Sequence, residues 1–154
     1  MNEGGPNALD TPRAKLRKRL YTVAAIIALL GLADGIYLTV EHVTGRTAQC
    51  IASSGCQDVL SSKYAAMGPV PLAALGALAY FTAFSTALLA AFGFAKCGPL
   101  FTLLVGIMFA TTLWLLYLQA FVLHAFCDYC LFSAGVTTVL TVIAITNAFL
   151  REPR

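Results

Sequence analysis

Charged residues are scarce in this chain. Asp, Glu, Lys and Arg together make up only 11% of its 154 residues, whereas soluble domains carry roughly 25%. Apolar residues account for 59% of the chain, and the mean hydropathy is +0.80. The net charge of +3 is small and does not favour binding to nucleic acid. Lipid rather than water is therefore the expected surroundings of most of the protein.

The apolar runs also lack the alternation of apolar and polar residues that a membrane-spanning β-barrel requires. They extend without interruption over 20–43, 70–92, 99–123 and 128–149. Each run exceeds the roughly 20 residues that a helix needs to cross a bilayer core. Backbone amides in lipid must find partners within their own segment, which favours helices. We predict an all-α membrane protein built as a bundle of four transmembrane helices.

Basic residues predict the orientation of this bundle, because they are enriched in cytoplasmic segments. The tail at 1–19 carries five of them, and 151–154 carries two more. The long loop at 44–69 carries only two, and the turn at 124–127 carries none. Both termini are therefore expected to be cytoplasmic, with the long loop and the turn on the outer side.

The chain is accordingly divided into a basic cytoplasmic tail at 1–19, a transmembrane catalytic domain at 20–150 and a cytoplasmic tail at 151–154. The first apolar run is longer than the 7–15 residues of a signal peptide core and has no clear cleavage site. It is therefore interpreted as an uncleaved helix. Within the first outer loop, residues 58–67 are expected to form a short surface helix.

Five cysteines are an odd number, so at least one thiol stays unpaired within a monomer. Cys97 stands apart from the others and is interpreted as an inert packing residue. The remaining cysteines form two close pairs, Cys50 with Cys56 and Cys127 with Cys130. Both pairs fall on the predicted outer side, where an oxidising compartment favours disulfides. Disulfide exchange is therefore the expected chemistry.

Cys127 and Cys130 are expected to share one face at the start of the last helix, close enough for a disulfide. Free amides and the helix dipole favour a thiolate at that position, and the thiolate is the form that attacks disulfides. Asp128 opposes this effect with its negative charge, so the direction of the net pKa shift stays open.

Cys50 and Cys56 lie in a stretch rich in Ser and Gly, which is flexible enough to carry electrons between a soluble thiol protein and the second pair. A static structural disulfide is the alternative. A zinc site formed by all the paired cysteines is disfavoured, because five residues between Cys50 and Cys56 exceed the usual ligand spacing. No metal is therefore expected.

These features together resemble the vitamin K epoxide reductase family, specifically its short bacterial members, over residues 20–150. The matching residues are Tyr37-Leu38-Thr39, Cys50, Cys56, Ser61-Ser62 and Cys127-Asp128-Tyr129-Cys130. The resemblance implies a four-helix bundle that takes electrons from a thioredoxin-like partner and passes them to a quinone. It implies that Cys50 and Cys56 form the shuttle pair, that Cys127 exchanges with them, and that Cys130 faces the quinone near Ser62.

The chain also departs from this family. Vertebrate members have an asparagine and a tyrosine that hydrogen-bond the quinone, and Leu72 and Ala134 occupy those positions here. Plain reduction of ubiquinone or menaquinone is therefore expected rather than epoxide reduction. Because the chain ends at Arg154, a separate DsbA-like or thioredoxin-like partner is expected. The resemblance thus implies an enzyme of the bacterial inner membrane that supports periplasmic disulfide formation.

Several polar and aromatic residues in the apolar runs have two interpretations. Asp34 is either a functional acid or an interior residue bonded to a neighbouring hydroxyl. Glu41 and His42 are interfacial residues or proton carriers. Tyr117 and Phe121 belong to an aromatic face that either contacts the quinone ring or serves packing and interfacial anchoring. The other members of that face are Trp114 and His124, and His124 is either solvated or a proton shuttle.

Two further functions stay open. A DsbB-like enzyme performs the same reaction, but its C-x-x-C lies in the first outer loop rather than at the last helix. A small membrane transporter or assembly scaffold with structural disulfides would instead use Asp34 as a substrate site.

Overall fold

The structure is a computed structural model that describes residues 12–46, 50–51 and 55–150. Long helices dominate it, with a short helix and a two-residue hairpin between the first and second of them. In chain order the elements are α1 (Pro12–Val43), α2 (Cys56–Leu60), β1 (Ala66–Met67), β2 (Val70–Pro71), α3 (Leu72–Ala91), α4 (Cys97–Tyr117), a π-helical segment (Leu118–Leu123) and α5 (Asp128–Phe149).

Four helical segments are long and apolar enough to cross a membrane: Pro12–Val43, Leu72–Ala91, Cys97–Leu123 and Asp128–Phe149. They confirm the predicted all-α, multi-pass membrane fold. The first helix begins at Pro12, inside the basic segment rather than after it. Proline suits a first helical position because its missing amide hydrogen has no partner there in any case. The predicted leader at 1–11, the C-terminal tail at 151–154 and parts of the cysteine loop lie outside the described residues.

A short surface helix is present, but the expectation of a helix over 58–67 is wrong beyond Leu60. The helix covers Cys56–Leu60 only. Ala66 then pairs with Pro71 in a small antiparallel hairpin. Gly68 turns this hairpin with a φ of +64°, a backbone conformation that glycine adopts readily. Turn residues at 61–65 separate the end of the helix from this hairpin.

Small residues bring α1 and α3 into close contact, and these two helices form the most extensive interface of the bundle. Lipid provides no hydrophobic force between helices, so close backbone packing at small residues holds them together. Gly35 approaches the backbone of Ala77, and Gly31 lies under the ring of Tyr80. The fully buried alanines of this interface are Ala24, Ala28, Ala83 and Ala87.

The two ends of the bundle carry different residues. We call the end that holds Arg13 to Arg19 and Lys96 the basic end, and the end that holds the two cysteine pairs the redox end. Gly55 in the first connection lies against the backbone of Phe126 in the last one. Both cysteine pairs therefore belong to the same end of the bundle.

Candidate active site

The first cysteine pair is joined as a disulfide at the start of α2. Cys50 and Cys56 have Cα atoms 5.7 Å apart. Cys56 is only 1% exposed, whereas Cys50 is half-buried. The backbone N–H of Cys56 also donates a hydrogen bond to the sulfur of Cys50, at 3.1 Å. Of the two sulfurs, that of Cys50 is the more accessible to an attacking thiolate from another protein.

The disulfide loop is held against the start of α5. The backbone N–H of Ile51 donates to a carboxylate oxygen of Asp128 over 2.9 Å. A Cβ atom at Gly55 would lie 2.7 Å from the carbonyl oxygen of Phe126, which is too close for any side chain. Glycine is therefore required for this approach of the loop to the turn before α5.

The second pair is present as two thiols where α5 begins. Cys127 is fully buried and precedes the helix in an extended conformation, and Cys130 lies half-buried in the first turn. The hydrogen bond from the Cys130 side chain is the main cause that lowers the pKa of Cys127 from 9.0 to about 7. Burial raises this pKa, the backbone N–H groups of Cys130 and Tyr129 lower it, and the charge of Asp34 raises it.

The direction that the sequence left open is thus settled in favour of the thiolate. The hydrogen bond from the Cys130 side chain contributes most to the lowered pKa of Cys127, and the free amides at the helix start add to it. The carboxylate of Asp128, which lies between the two cysteines in sequence, accepts a hydrogen bond from Ile51.

Gln119 is a site residue that the sequence reasoning did not identify. It is 3% exposed, and its side-chain oxygen accepts a hydrogen bond of 3.1 Å from the backbone N–H of Cys127. Its side chain also hydrogen-bonds the thiol of Cys130. Gln119 belongs to the π-helical segment Leu118–Leu123, a rare conformation often found at functional sites. A single amide in an apolar run, eight positions before Cys127, was the available signal.

The two cysteine pairs are adjacent. Cys56, Val59 and Cys127 form one buried cluster. Cys50 and Cys130 both pack against this cluster, along with apolar residues of the turn before α5. The disulfide of one pair therefore lies beside the thiols of the other, which is the arrangement that disulfide exchange requires.

Cys130 also lines a cavity of about 370 Å³ at the redox end. This volume falls within the range of roughly 300–1,000 Å³ that is typical of small-molecule sites. The walls are mainly apolar and include Leu72 and Ala134. The polar residues of the wall include Asp34 and Ser62.

Tyr80 lines the cavity, and its hydroxyl is engaged in hydrogen bonds to α5. It donates to or accepts from the hydroxyls of Ser133 and Thr137 at 2.7 and 2.8 Å, and it lies 2.9 Å from the carbonyl oxygen of Ser133. This network ties α3 to α5 directly below Cys130.

Of the residues predicted to contact the quinone, one lines the cavity and the two aromatic residues do not. Ser62 lines the cavity, and its hydroxyl donates to the carbonyl oxygen of Val59 over 2.7 Å. Tyr117 and Phe121 do not line it. Their side chains are 51% and 67% exposed, and their ring centroids lie 5.0 Å apart on the outer surface of α4. The role of these two rings in quinone binding stays a prediction.

The remaining polar candidates divide between the cavity and the surface. Glu41 and His42 line the outer part of the cavity, on the same helix as Asp34. His124 is exposed and caps the π-helical segment in a left-handed conformation, with a φ of 50°. A carboxylate oxygen of Asp128 lies within 4.8 Å of both sulfurs of the first pair. These sulfurs are bonded to each other, so they are not available as thiolate ligands for a metal in this state.

Comparison with known proteins agrees with the arrangement of the site. The profile of the vitamin K epoxide reductase family matches residues 22–145. The thiol-disulfide oxidoreductase LTO1 of Arabidopsis thaliana is 34% identical to the chain over 130 residues. This alignment covers 79% of the chain and 35% of the plant protein, so the chain spans about a third of that relative's length. The matched segment contains both cysteine pairs and all four membrane-spanning helices apart from their ends, and the chain belongs to the vitamin K epoxide reductase family.

Proposed function

We propose that the protein is a thiol–quinone oxidoreductase that supplies disulfides to proteins outside the cytoplasm. Electrons enter at Cys50 and Cys56 from a separate thioredoxin-fold partner, pass to Cys127 and Cys130, and leave to a quinone. The observation that carries this proposal is the position of the second pair. Cys127 packs against the first pair, whereas Cys130 lines an apolar cavity.

The first exchange begins at the more accessible sulfur. A thiolate of the reduced partner attacks Cys50, the Cys50–Cys56 bond breaks, and Cys56 leaves as a thiolate. The second thiolate of the partner then attacks the mixed disulfide and frees Cys50. The partner leaves with a disulfide, and both electrons remain on the first pair.

The second exchange uses the contact between the pairs. When Cys127 and Cys130 are oxidised, Cys56 attacks Cys127 and releases Cys130 as a thiolate at the cavity wall. Cys50 then attacks Cys56, which frees Cys127. A low pKa supports Cys127 in this role, because thiols of lower pKa leave more readily.

The cavity suits a quinone ring. Its walls are mainly apolar, it holds few polar side chains, and Cys130 reaches its surface. Ser62, which lines the wall, is the residue we assign to contact with the ring. When bound, a quinone would accept two electrons from the second dithiol and take up two protons. Leu72 and Ala134 provide no hydrogen-bonding side chain, which supports quinone reduction rather than epoxide reduction.

The proposed setting is the bacterial inner membrane, with both termini cytoplasmic and both cysteine pairs on the outer side. The basic residues at one end of the bundle and the cysteine pairs at the other support this orientation. Labelling of single-cysteine variants with a membrane-impermeant maleimide in intact cells tests it. Protection of both pairs from the outside reagent would contradict the orientation.

The enzymatic assay uses purified protein in lipid, a reduced thioredoxin-fold dithiol protein, and either ubiquinone or menaquinone. Quinone absorbance is expected to fall in step with oxidation of the partner. Alanine at Cys50, Cys56, Cys127 or Cys130 is expected to abolish this turnover. Cys97→Ala is the matched control and is expected to retain it. Full turnover by Cys50→Ala or Cys127→Ala would refute the relay.

A further inference from the structure

Asp34 places a carboxyl group in the wall of the cavity, within a membrane-spanning helix. It is half-buried, and among the residues that the structure describes it has neither a hydrogen-bond nor an ion-pair partner. Acidic residues inside membrane spans are costly and in most cases mark a substrate or proton pathway. A structural role through a neighbouring hydroxyl, one of the two sequence-based interpretations, has no such bond to support it.

The carboxyl group lies close enough to the active site to act on it through charge. A negative charge at Asp34 is felt by the thiols of Cys127 and Cys130. It is also felt by the hydroxyls of Tyr80 and Tyr129. Asp34 and Cys130 line the same cavity, so a molecule that reacts with Cys130 would lie beside the carboxyl group.

One face of α1 leads from this acid to the outer part of the cavity. Leu38, Glu41 and His42 follow Asp34 at helical spacing, and all of them line the cavity. At a rise of 1.5 Å per residue, Glu41 lies about 10 Å further along the helix axis. His42 and Arg46 are exposed beyond it. The acid in the cavity is thus connected along one face to titratable groups near the surface.

We propose that Asp34 is the proton donor for the acceptor reduced by Cys127 and Cys130, and that Glu41 and His42 take up protons from water to supply it. This inference rests on the proposed function, since it concerns the reduction of a quinone. It assigns a role to a residue that disulfide exchange itself does not use.

Formation of the Cys127–Cys130 bond removes two electrons from the sulfurs, and the quinone gains both. The Asp34 carboxyl group gives its proton to a quinone oxygen and then takes the proton of the Cys130 thiol. The second proton for the quinone comes from water through Glu41 and His42. It is needed because Cys127 is already a thiolate and has no proton to give.

Other titratable groups also face Asp34 and contribute to the pH dependence of the quinone step. Tyr80 approaches from α3, but its hydroxyl is engaged with Ser133 and Thr137. Cys127, Cys130 and Tyr129 approach from the start of α5. Glu41 and His42 follow on its own helix. Of these groups, the cysteines also titrate in the partner exchange, so that step serves as an internal control.

The experiment separates the two steps in Asp34→Asn, Asp34→Glu and the control Asp58→Asn. Asp58 is an exposed acid of α2 that does not line the cavity. Oxidation of the partner dithiol in a single turnover without quinone is expected to be unchanged in Asp58→Asn. In the Asp34 variants it is expected to change far less than the quinone step, because Asp34 acts on the cysteines only through its charge. Reduction of quinone by the pre-reduced protein is expected to fall by about 100-fold or more in Asp34→Asn, in line with the loss of a general acid. Asp34→Glu is expected to restore most of that rate.

Two readouts distinguish proton donation from a structural role. The quinone step of Asp34→Asn is expected to fall by about tenfold per pH unit, because the proton must then come directly from water. Without quinone, the infrared difference between oxidised and reduced protein is expected to contain a carboxyl band that Asp34→Asn lacks. Where Asp34→Asn does not fold, Glu41→Gln carries the test through a larger solvent deuterium effect on the quinone step.

A quinone step in Asp34→Asn as fast as in the unaltered protein would overturn the inference. Equal slowing of both steps, or a carboxyl band that persists in Asp34→Asn, would do the same. An unchanged deuterium effect in Glu41→Gln would remove the uptake path. If the unaltered protein oxidised its partner but never reduced quinone, the proposed function itself would fail, and this inference with it.

Discussion

The two ends of the bundle are formed by the same helices but differ in how closely their interior is packed. Towards the basic end, large apolar side chains fill the centre, and Phe101, Val105 and Leu140 are all 0% exposed. Towards the redox end, the helices surround a cavity of about 370 Å³. The closely packed half holds the helices in register. The other half can then form a cavity beside the reactive sulfurs. Stability and chemistry are separated along the bundle axis.

Two polar side chains towards the redox end form hydrogen bonds between segments. At the redox end, the buried amide of Gln119 is bonded to the backbone before α5. Tyr80, at the level where α1 and α3 meet, has its hydroxyl bonded to Ser133 and Thr137. The hydrogen bonds that Gln119 and Tyr80 make to other segments thus lie beside the cavity and the reactive residues.

The largest effect that would test this division is the loss of stability in Phe101→Ala. Removal of a fully buried ring leaves a cavity that the tightly packed basic end cannot close, and a loss of about 3–5 kcal/mol is expected. Leu116→Ala at the half-buried cavity wall is the matched variant, with a loss of less than about 1 kcal/mol, because the space beside it is already open. Thermal unfolding in one detergent measures both, and similar losses would contradict the distinction between the two halves.

A smaller effect is expected from Gly55→Ala at the redox end. The added methyl group would meet the backbone of Phe126 at 2.7 Å, so the disulfide loop must move away from α5. Electron transfer between the cysteine pairs is expected to slow by about 10- to 100-fold, as misplacement by about 1 Å does elsewhere, while the unfolding temperature changes little. Rapid-quench thiol trapping measures the transfer.

The control for this prediction is Gly106→Ala, since a methyl group at Gly106 would meet nothing within 4 Å. Unimpaired transfer in Gly55→Ala would show that the loop does not need to lie against α5.

The smallest of the three effects is a shift in the titration of Cys127. Its pKa of about 7 depends first on the hydrogen bond from Cys130. Cys130→Ala removes that bond, so the midpoint is expected to rise from about 7 towards the ordinary value of 9.0. The thiolate fraction at neutral pH then falls, and alkylation by iodoacetamide slows at pH 7 but not at high pH. Rates are measured with Cys50, Cys56 and Cys97 replaced by Ser.

An unchanged midpoint in Cys130→Ala would mean that the backbone amides at the start of α5 alone stabilise the thiolate. The matched control is the same protein with Cys50, Cys56 and Cys97 replaced by Ser and Cys130 retained, in which the midpoint is expected to stay at about 7.

The sequence predicted the helices well because lipid imposes a simple rule. Each predicted run agrees with an observed span to within a few residues, except at Pro12, where the helix extends into charged sequence. Length and hydropathy do not limit a helix beyond the hydrocarbon, so they could not locate that start. The surface helix failed for a different reason, since a two-residue hairpin depends on the backbone conformation at Gly68 rather than on composition.

The sequence predicted which sulfurs lie close together but not which side chains surround them. Cysteine spacing identified both pairs, because sulfur chemistry requires neighbouring thiols. Gln119 was missed because its role depends on a π-helical segment that turns the amide towards Cys127. Tyr117 and Phe121 share a helix with cavity residues, but periodicity alone does not tell which face of α4 points inward. The inward face of α4 is decided by packing against neighbouring helices, and the sequence of a single span does not encode that packing.

The length of α1 has a consequence for the whole molecule. Its 32 residues extend for about 48 Å, well beyond the roughly 30 Å of hydrocarbon in a bilayer. The surplus lies at the start, where the guanidinium and ammonium groups between Arg13 and Arg19 remain among lipid headgroups. The helix therefore cannot slide along the membrane normal without drawing these groups into hydrocarbon. The carboxyl group of Asp34, about 22 Å beyond Arg19 along the helix axis, is therefore held at a constant depth in the membrane.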